Sequence, residues 1–201
     1  MTALPPIHLT FDDGPDGTYT PRILDMLEAA GVKATFFMIG ALAVKSPTLV
    51  HLIRARGHEV GNHTFSHRHP KLLTTRQARM EVADGAAAIA DILGEQPRLF
   101  RPPHGARNPA MLEEAASLDE TIVQWDLSAI DWGPMGFARA IARRLGRAGP
   151  GDVILMHDGG RGINRPGQLI KVLPDFLQRI TESAMTMTLL PPSALAGGSE
   201  P

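Results

Sequence analysis

The chain has 201 residues, with 20 Lys and Arg against 21 Asp and Glu, and no cysteine. That length suffices for one domain with a real core, and balanced charge without a basic cluster argues against a nucleic-acid binder or a polybasic membrane-surface protein. No apolar stretch is long enough to span a bilayer, and without cysteine any metal must be held by His, Asp or Glu.

Taken in chain order, the N-terminal "MTALPPIHLTF" has neither the basic nor the apolar region of a secretion signal, which fits an intracellular chain or one whose leader has been removed. Short β-rich runs follow at 7–11 ("IHLTF"), 33–39 ("KATFFMI"), 58–62 ("HEVGN"), 97–101 ("PRLFR"), 121–125 ("TIVQW"), 152–156 ("DVILM") and 185–190 ("MTMTLL"). Helical patterns lie between them, near 20–30, 46–56, 75–93, 108–118, 136–147 and 167–182. The clearest is 75–93, where Thr74 or Thr75 can cap a run whose apolar face is read as Met80, Ala83, Ala87 and Ile89 to Ile92. Gly31, Gly57 and Gly94 each follow a helical run, where a left-handed cap favours Gly.

Repeated β-then-α order predicts a parallel sheet with helices outside it, because parallel strands need long crossovers. Six or seven such units are fewer than a full eight-fold barrel. The expectation is one α/β domain over 1–190, a distorted, incomplete (β/α) barrel of about seven parallel strands, followed by a Pro-, Gly- and Ser-rich tail over 191–201.

In such architectures functional groups gather at the carboxyl ends of the strands. Five polar clusters fall there: Asp12 and Asp13, His63 and His67, Arg101 with "PPHG" behind it, Asp131 and Trp132, and His157 with Asp158. Each also has a plain reading. Asp-Asp-Gly-Pro makes a β-turn with a helix cap, most His pairs at i and i+4 are surface residues, Arg101 could be a surface ion pair, and Trp132 could be core. His69 reads as an exposed loop residue, and His8, His51 and His58 as structural or solvated. Yet two imidazoles four apart can face one ion, and neighbours on an extended chain point to opposite sides, so Asp12 and Asp13 need not do the same job. A nearby divalent ion would favour the charged form of both acids.

The segments "LTFDDGPDGTYTPRILDMLEAAGVKATFF", "GHEVGNHTFSH", "LFRPPHG", "WDLSAIDW" and "ILMHDG" resemble the five ordered motifs of the polysaccharide deacetylase family (the NodB-homology domain, carbohydrate esterase family 4), over about residues 7 to 190. The resemblance implies a distorted (β/α) barrel that removes acetyl groups from N-acetylated sugars, and in some members from O-acetyl esters, using one divalent cation. It implies Asp13, His63 and His67 as metal ligands, Asp12 as general base toward the attacking water, and Arg101 as the partner that orients Asp12. It further implies His157 as general acid for the leaving amine and Asp131 as the carboxylate that orients His157. The backbone N–H of His104 would serve the oxyanion, and Trp132 with Leu155 would hold the acetyl methyl. An Asp-His-His set suits zinc, with cobalt, nickel or manganese as alternatives. Two positions depart from the family pattern: His104 stands where the third motif usually has Tyr, and Ser128 where the fourth often has Asp.

The expected activity is therefore metal-dependent removal of N-acetyl groups from a GlcNAc-containing polysaccharide or oligosaccharide, chitin-like or peptidoglycan-like. The expected partner is that acetylated glycan, with no nucleic acid and no membrane segment. An O-acetyl esterase, for example on acetylxylan, or a small-amide hydrolase is the alternative. A non-catalytic glycan-binding domain ranks behind both, since one Tyr and two Trp offer few stacking platforms.

Overall fold

The structure, a computed structural model, describes residues 4–183 and 185–191; the expected tail lies, beyond Pro191, outside the described residues. Its strands are β1 (His8–Gly14), β2 (Thr35–Met38), β3 (Glu59–Asn62), β4 (Leu99–Phe100), β5 (Thr121–Ile122), β6 (Leu127–Ser128) and β7 (Val153–His157). Its helices are α1 (Thr20–Ala29), α2 (Gly40–Lys45), α3 (Pro47–Ala55), α4 (Thr75–Leu93), α5 (Pro109–Ser117), α6 (Ala138–Leu145), α7 (Pro166–Leu169) and α8 (Leu173–Thr181). Every pairing between these strands is parallel, in the order β5-β4-β3-β2-β1-β7-β6. The sheet curls into a half-barrel with helices around it, the incomplete barrel that the β-then-α order predicts.

Four details differ from the sequence reading. The 185–190 run supplies only a bridge from Met187 to Ile7, and the remaining strand place falls to Leu127–Ser128 beside β7. Two residues carry no readable alternation; their ladder to β7 makes them a strand. The expected helix at 167–182 is divided into α7 and α8, because Pro174 has no N–H to continue a helix and sits in the first turn of α8. Helix α2 precedes α3 unannounced. In α4 the buried face is Ala78, Glu81, Val82, Gly85, Ala86, Ala88 and Ile89, while Met80 and Ala87 are exposed. Small residues are what lets this helix lie close: a side chain at Gly85 would collide with Asn62 and the backbone at Thr64. Thr74 caps α4 and completes a capping box with Gln77.

Strand alternation sorts the side chains into two sets. Leu9, Phe11, Phe36, Met38, Val60, Ile154 and Met156 are buried in the main core cluster with helix side chains such as Leu24, Ile53 and Leu177. Phe37, Leu99, Val123, Val153 and Leu190 pack together as a separate cluster within the curl of the sheet. Covering both faces explains why β1, β2 and β7 read as near-continuous apolar runs, and each such side chain contributes about 1.5–3 kcal/mol on burial. The inward set continues toward the carboxyl ends as Thr10 and Asp12 on β1 and Leu155 and His157 on β7.

Residues 123–126 join the two outer strands, β5 and β6, directly. Five residue steps from Ile122 to Leu127 cover at most about 18 Å, so the edges approach each other here. Val123 N–H donates to Phe100 O on one side, and Asp126 N–H to Val153 O on the other. Arg101 is wholly buried behind this crossing. Its guanidinium donates to the carbonyls of Val123 and Gln124 and lies 4.2 Å over the Phe37 ring.

Candidate active site

The ladder between β1 and β2 shifts register between Asp12 and Gly14, and Asp13 takes a φ of 71°. This bulge changes the expected geometry. Alternation would send Asp12 and Asp13 to opposite sides, but both line one cavity of about 250 Å³. His67 and His104, with φ of 58° and 59°, also occupy left-handed backbone that costs side-chain-bearing residues energy. Such positions concentrate at functional sites. Of the ten residues expected at the site, Asp12, Asp13, His63, His67, His104, Trp132, Leu155 and His157 line the cavity. Arg101 and Asp131 are fully buried and hold two of these lining residues.

On one side, Asp13 Oδ1 lies 3.0 Å from His67 Nε2 and 3.5 Å from His63 Nε2. The three atoms form a possible metal-holding group, all within 4.8 Å of one another. Asp13 Oδ1 is buried without a hydrogen-bond partner. His63 Nδ1 donates to the Arg101 carbonyl at 2.6 Å, which makes Nε2 the nitrogen that faces Asp13. Burial opposes charge on this ring, but Asp12 and Asp13 outweigh it and raise the imidazole, so a cation bound here takes the place of its proton. Two ring nitrogens converging on an orphaned carboxylate oxygen suit such a cation, and the N,N,O donor set suits zinc. Burial pushes the His67 imidazole down to about 4, aided by His63, so it is neutral as a ligand must be. Burial alone would raise Asp13, but His63 and His67 hold its carboxyl well below the ordinary range.

Two hydrogen-bonded pairs flank this group. Asp12 Oδ1 accepts from Arg101 Nη1 at 2.8 Å, and the same nitrogen donates to Thr10 Oγ1 at 2.7 Å. Asp12 Oδ2 faces the cluster, 3.7 Å from His63 Nε2. Opposite, Asp131 accepts from His157 Nδ1 and from the His157 backbone N–H, both at 2.8 Å, leaving Nε2 as the ring's other functional nitrogen. Burial opposes charge on His157, yet Asp131, then Asp12 and Asp13, outweigh it and push the imidazole up to about 9. The Trp132 ring stands edge-on to His157, with centroids 5.2 Å apart. On the rim, exposed His104 stacks against His69 and touches the His67 ring, with centroids 4.9 and 4.8 Å apart. His69 is the exposed loop residue that the sequence suggests, and its loop brings it beside the site.

Trp125, Ile163 and Asn164 also line the cavity and were not singled out from the sequence. All three lie in or next to segments beyond strand carboxyl ends, the rule that located the other residues. A larger groove of about 610 Å³ between α1 and α8 gathers no comparable set of titratable groups. Among the described residues, no helix is long and apolar enough to cross a membrane.

The polysaccharide deacetylase family profile matches residues 2–123, a span that includes Asp12, Asp13, His63, His67, Arg101 and His104 and ends before Asp131 and His157. A peptidoglycan-N-acetylglucosamine deacetylase of Bacillus cereus is 37% identical over 173 residues, covering 85% of this chain and 81% of that protein. A chitooligosaccharide deacetylase of Sinorhizobium fredii is 36% identical over 159 residues, covering 79% and 74%. A family 4 carbohydrate esterase from Streptomyces lividans, solved in complex with acetate, superposes with a TM-score of 0.86 at 32% identity, covering 96% of this chain and 97% of that one. The chain belongs to the polysaccharide deacetylase family, carbohydrate esterase family 4.

Proposed function

We propose that this protein is a metal-dependent hydrolase that removes N-acetyl groups from a GlcNAc-containing polysaccharide or oligosaccharide. The observation that carries the reading is one cavity in which the Asp13, His63 and His67 group lies between a buried carboxylate held by arginine and a histidine held by aspartate. Asp13, His63 and His67 would hold one divalent ion, zinc by donor type, with cobalt, nickel or manganese also compatible. Bound there, the ion supplies Lewis-acid polarisation of the acetyl carbonyl and acidifies water.

The rest is done by the chain. Asp12 Oδ2 accepts a proton from the attacking water, while Arg101 holds the carboxylate in place through Oδ1. His157 Nε2 donates a proton to the departing amine, and Asp131 fixes the ring so that this nitrogen is the one presented. Leu155 and Trp132 give the acetyl methyl an apolar seat, and the backbone N–H of His104 serves the developing oxyanion. A strongly basic His157 favours the amide over the ester reading, because a sugar amine leaves only when protonated.

The test is acetate release from chitooligosaccharides by chelated protein, with and without added zinc or cobalt. Metal-restored release that is absent in Asp12→Ala is the expected result. No release from folded, metal-binding protein would overturn the chitin-like substrate class and direct the search to small acetyl esters and amides.

A further inference from the structure

Asp13 sits on a bulge with left-handed backbone, so regular strand pairing does not fix its side chain. Its carboxylate is fixed from elsewhere. Asn164 Nδ2 donates to Asp13 Oδ2 at 2.6 Å and to the carbonyl of Gly159 at 3.2 Å. Both partners can only accept, so the amide must present its nitrogen to them, and both of its N–H groups are used. With Oδ2 held in a charge-assisted hydrogen bond, Oδ1 is the oxygen left facing His63 and His67.

The segment carrying Asn164 is itself anchored. Asn164 forms an antiparallel bridge with Trp132, Gly133 N–H donates to Ile163 O at 2.8 Å, and Arg165 N–H donates to Asp131 O at 2.7 Å. At the other end of the loop, Gly159 N–H donates to Asp12 O, and any side chain at Gly159 would collide with Asp13. The 159–165 loop therefore ties the carboxylate of Asp13 to the segment that carries Asp131.

We propose that Asn164 is a positioning residue for metal binding, selecting which oxygen of Asp13 meets the ion; this rests on the metal reading of Asp13, His63 and His67 above. Partners of metal ligands typically tune affinity 10- to 100-fold, and Asn164 is expected in that range.

The experiment uses the full chain, stripped by chelator, and measures zinc affinity by competition with a chromophoric chelator. The wild type is compared with Asp13→Ala, Asn164→Ala and the near-isosteric Asn164→Leu, and each stripped protein is also melted. Both Asn164 variants should bind zinc about 10- to 100-fold more weakly, with stripped-protein melting temperatures like wild type. The visible bands of the cobalt-loaded protein should also be altered. Zinc affinity within twofold of wild type in either Asn164 variant, with Asp13→Ala unable to bind, would overturn the role of Asn164. So would an affinity loss matched by unfolding of the stripped variant, which would make Asn164 a loop anchor only. Equal zinc binding by wild type and Asp13→Ala would instead remove the metal reading itself.

Discussion

Asn62 and His63 are neighbours in the chain but belong to polar regions built on different terms. His63 turns into the cavity, where Asp12 is met by Arg101, Asp131 by His157, and Asp13 by two imidazoles. Asn62 turns the other way, under α4, where its amide meets the buried carboxyl of Glu120 at 3.0 and 3.1 Å. Burial pushes Glu120 up to about 8 despite that hydrogen bond. The contrast teaches how the fold treats acids removed from water. Where two imidazoles are supplied, as at Asp13, the carboxylate stays charged despite its burial. Where an amide is supplied, it becomes a neutral structural group near pH 7.

Substitutions on each side can break or sharpen this contrast. Asp12→Asn keeps the shape and removes the base, so acetate release should fall about 10²- to 10⁴-fold while zinc affinity stays within a few-fold; a rate within tenfold of wild type would break the assignment. His157→Ala should cost a similar factor on an N-acetyl substrate and clearly less on an acetyl ester, whose leaving group needs less protonation. Equal losses on the two substrates would count against His157 as the acid.

Asp131→Asn should lower the rate about 10- to 100-fold and also move the pH profile. His157 must be protonated to donate, so wild-type activity should decline as pH rises through about 9, its raised value. Asp131 is the first of the groups that raise it, so the variant's alkaline limb should appear at lower pH. An unmoved limb would mean Asp131 does not set the charge on His157.

On the other side of the sheet the effect is smaller and falls on stability. Glu120 has a folded value of about 8 against an ordinary 4.5. Its contribution is therefore fully present below pH 4.5 and lost as pH rises toward 8, at no more than about 1.4 kcal/mol per pH unit. Glu120→Gln should leave Tm nearly unchanged at pH 4.5 and raise it at pH 8 by at least about 2–4 °C, the equivalent of 1 kcal/mol in a chain of this size. A Tm difference that does not vary with pH would show that folding does not raise the Glu120 carboxyl.

The sequence carried the parallel half-barrel well, because β1, β2 and β7 are apolar runs and several helices have legible ends: Gly31, Gly57 and Gly94 all take positive φ, and Thr74 caps α4. It carried the convergence of Asp12, His63 and His157 for the same reason, since strand carboxyl ends share one rim. What it hid is backbone detail without a periodic signature. Nothing in "FDDG" announces a left-handed Asp13, and that single angle turns two expected directions into one. Strand β6 is two residues long, and its pairing with β7 is a property of the closed-up sheet. Asn164 lies in "GGRGIN", where glycines obscure any pattern and only the folded loop reveals its hydrogen bond to Asp13.

Arg101 holds Asp12 and also donates to the carbonyls of the 123–126 crossing while filling the space over Phe37. One side chain thus serves two masters, and natural selection acts on both at once. On the role proposed for Asp12, a descendant that abandoned the reaction would be free to lose that acid, while the carbonyls of the crossing would still call for the arginine. In a relative of unknown competence, an arginine at this position therefore testifies to architecture and says nothing about activity.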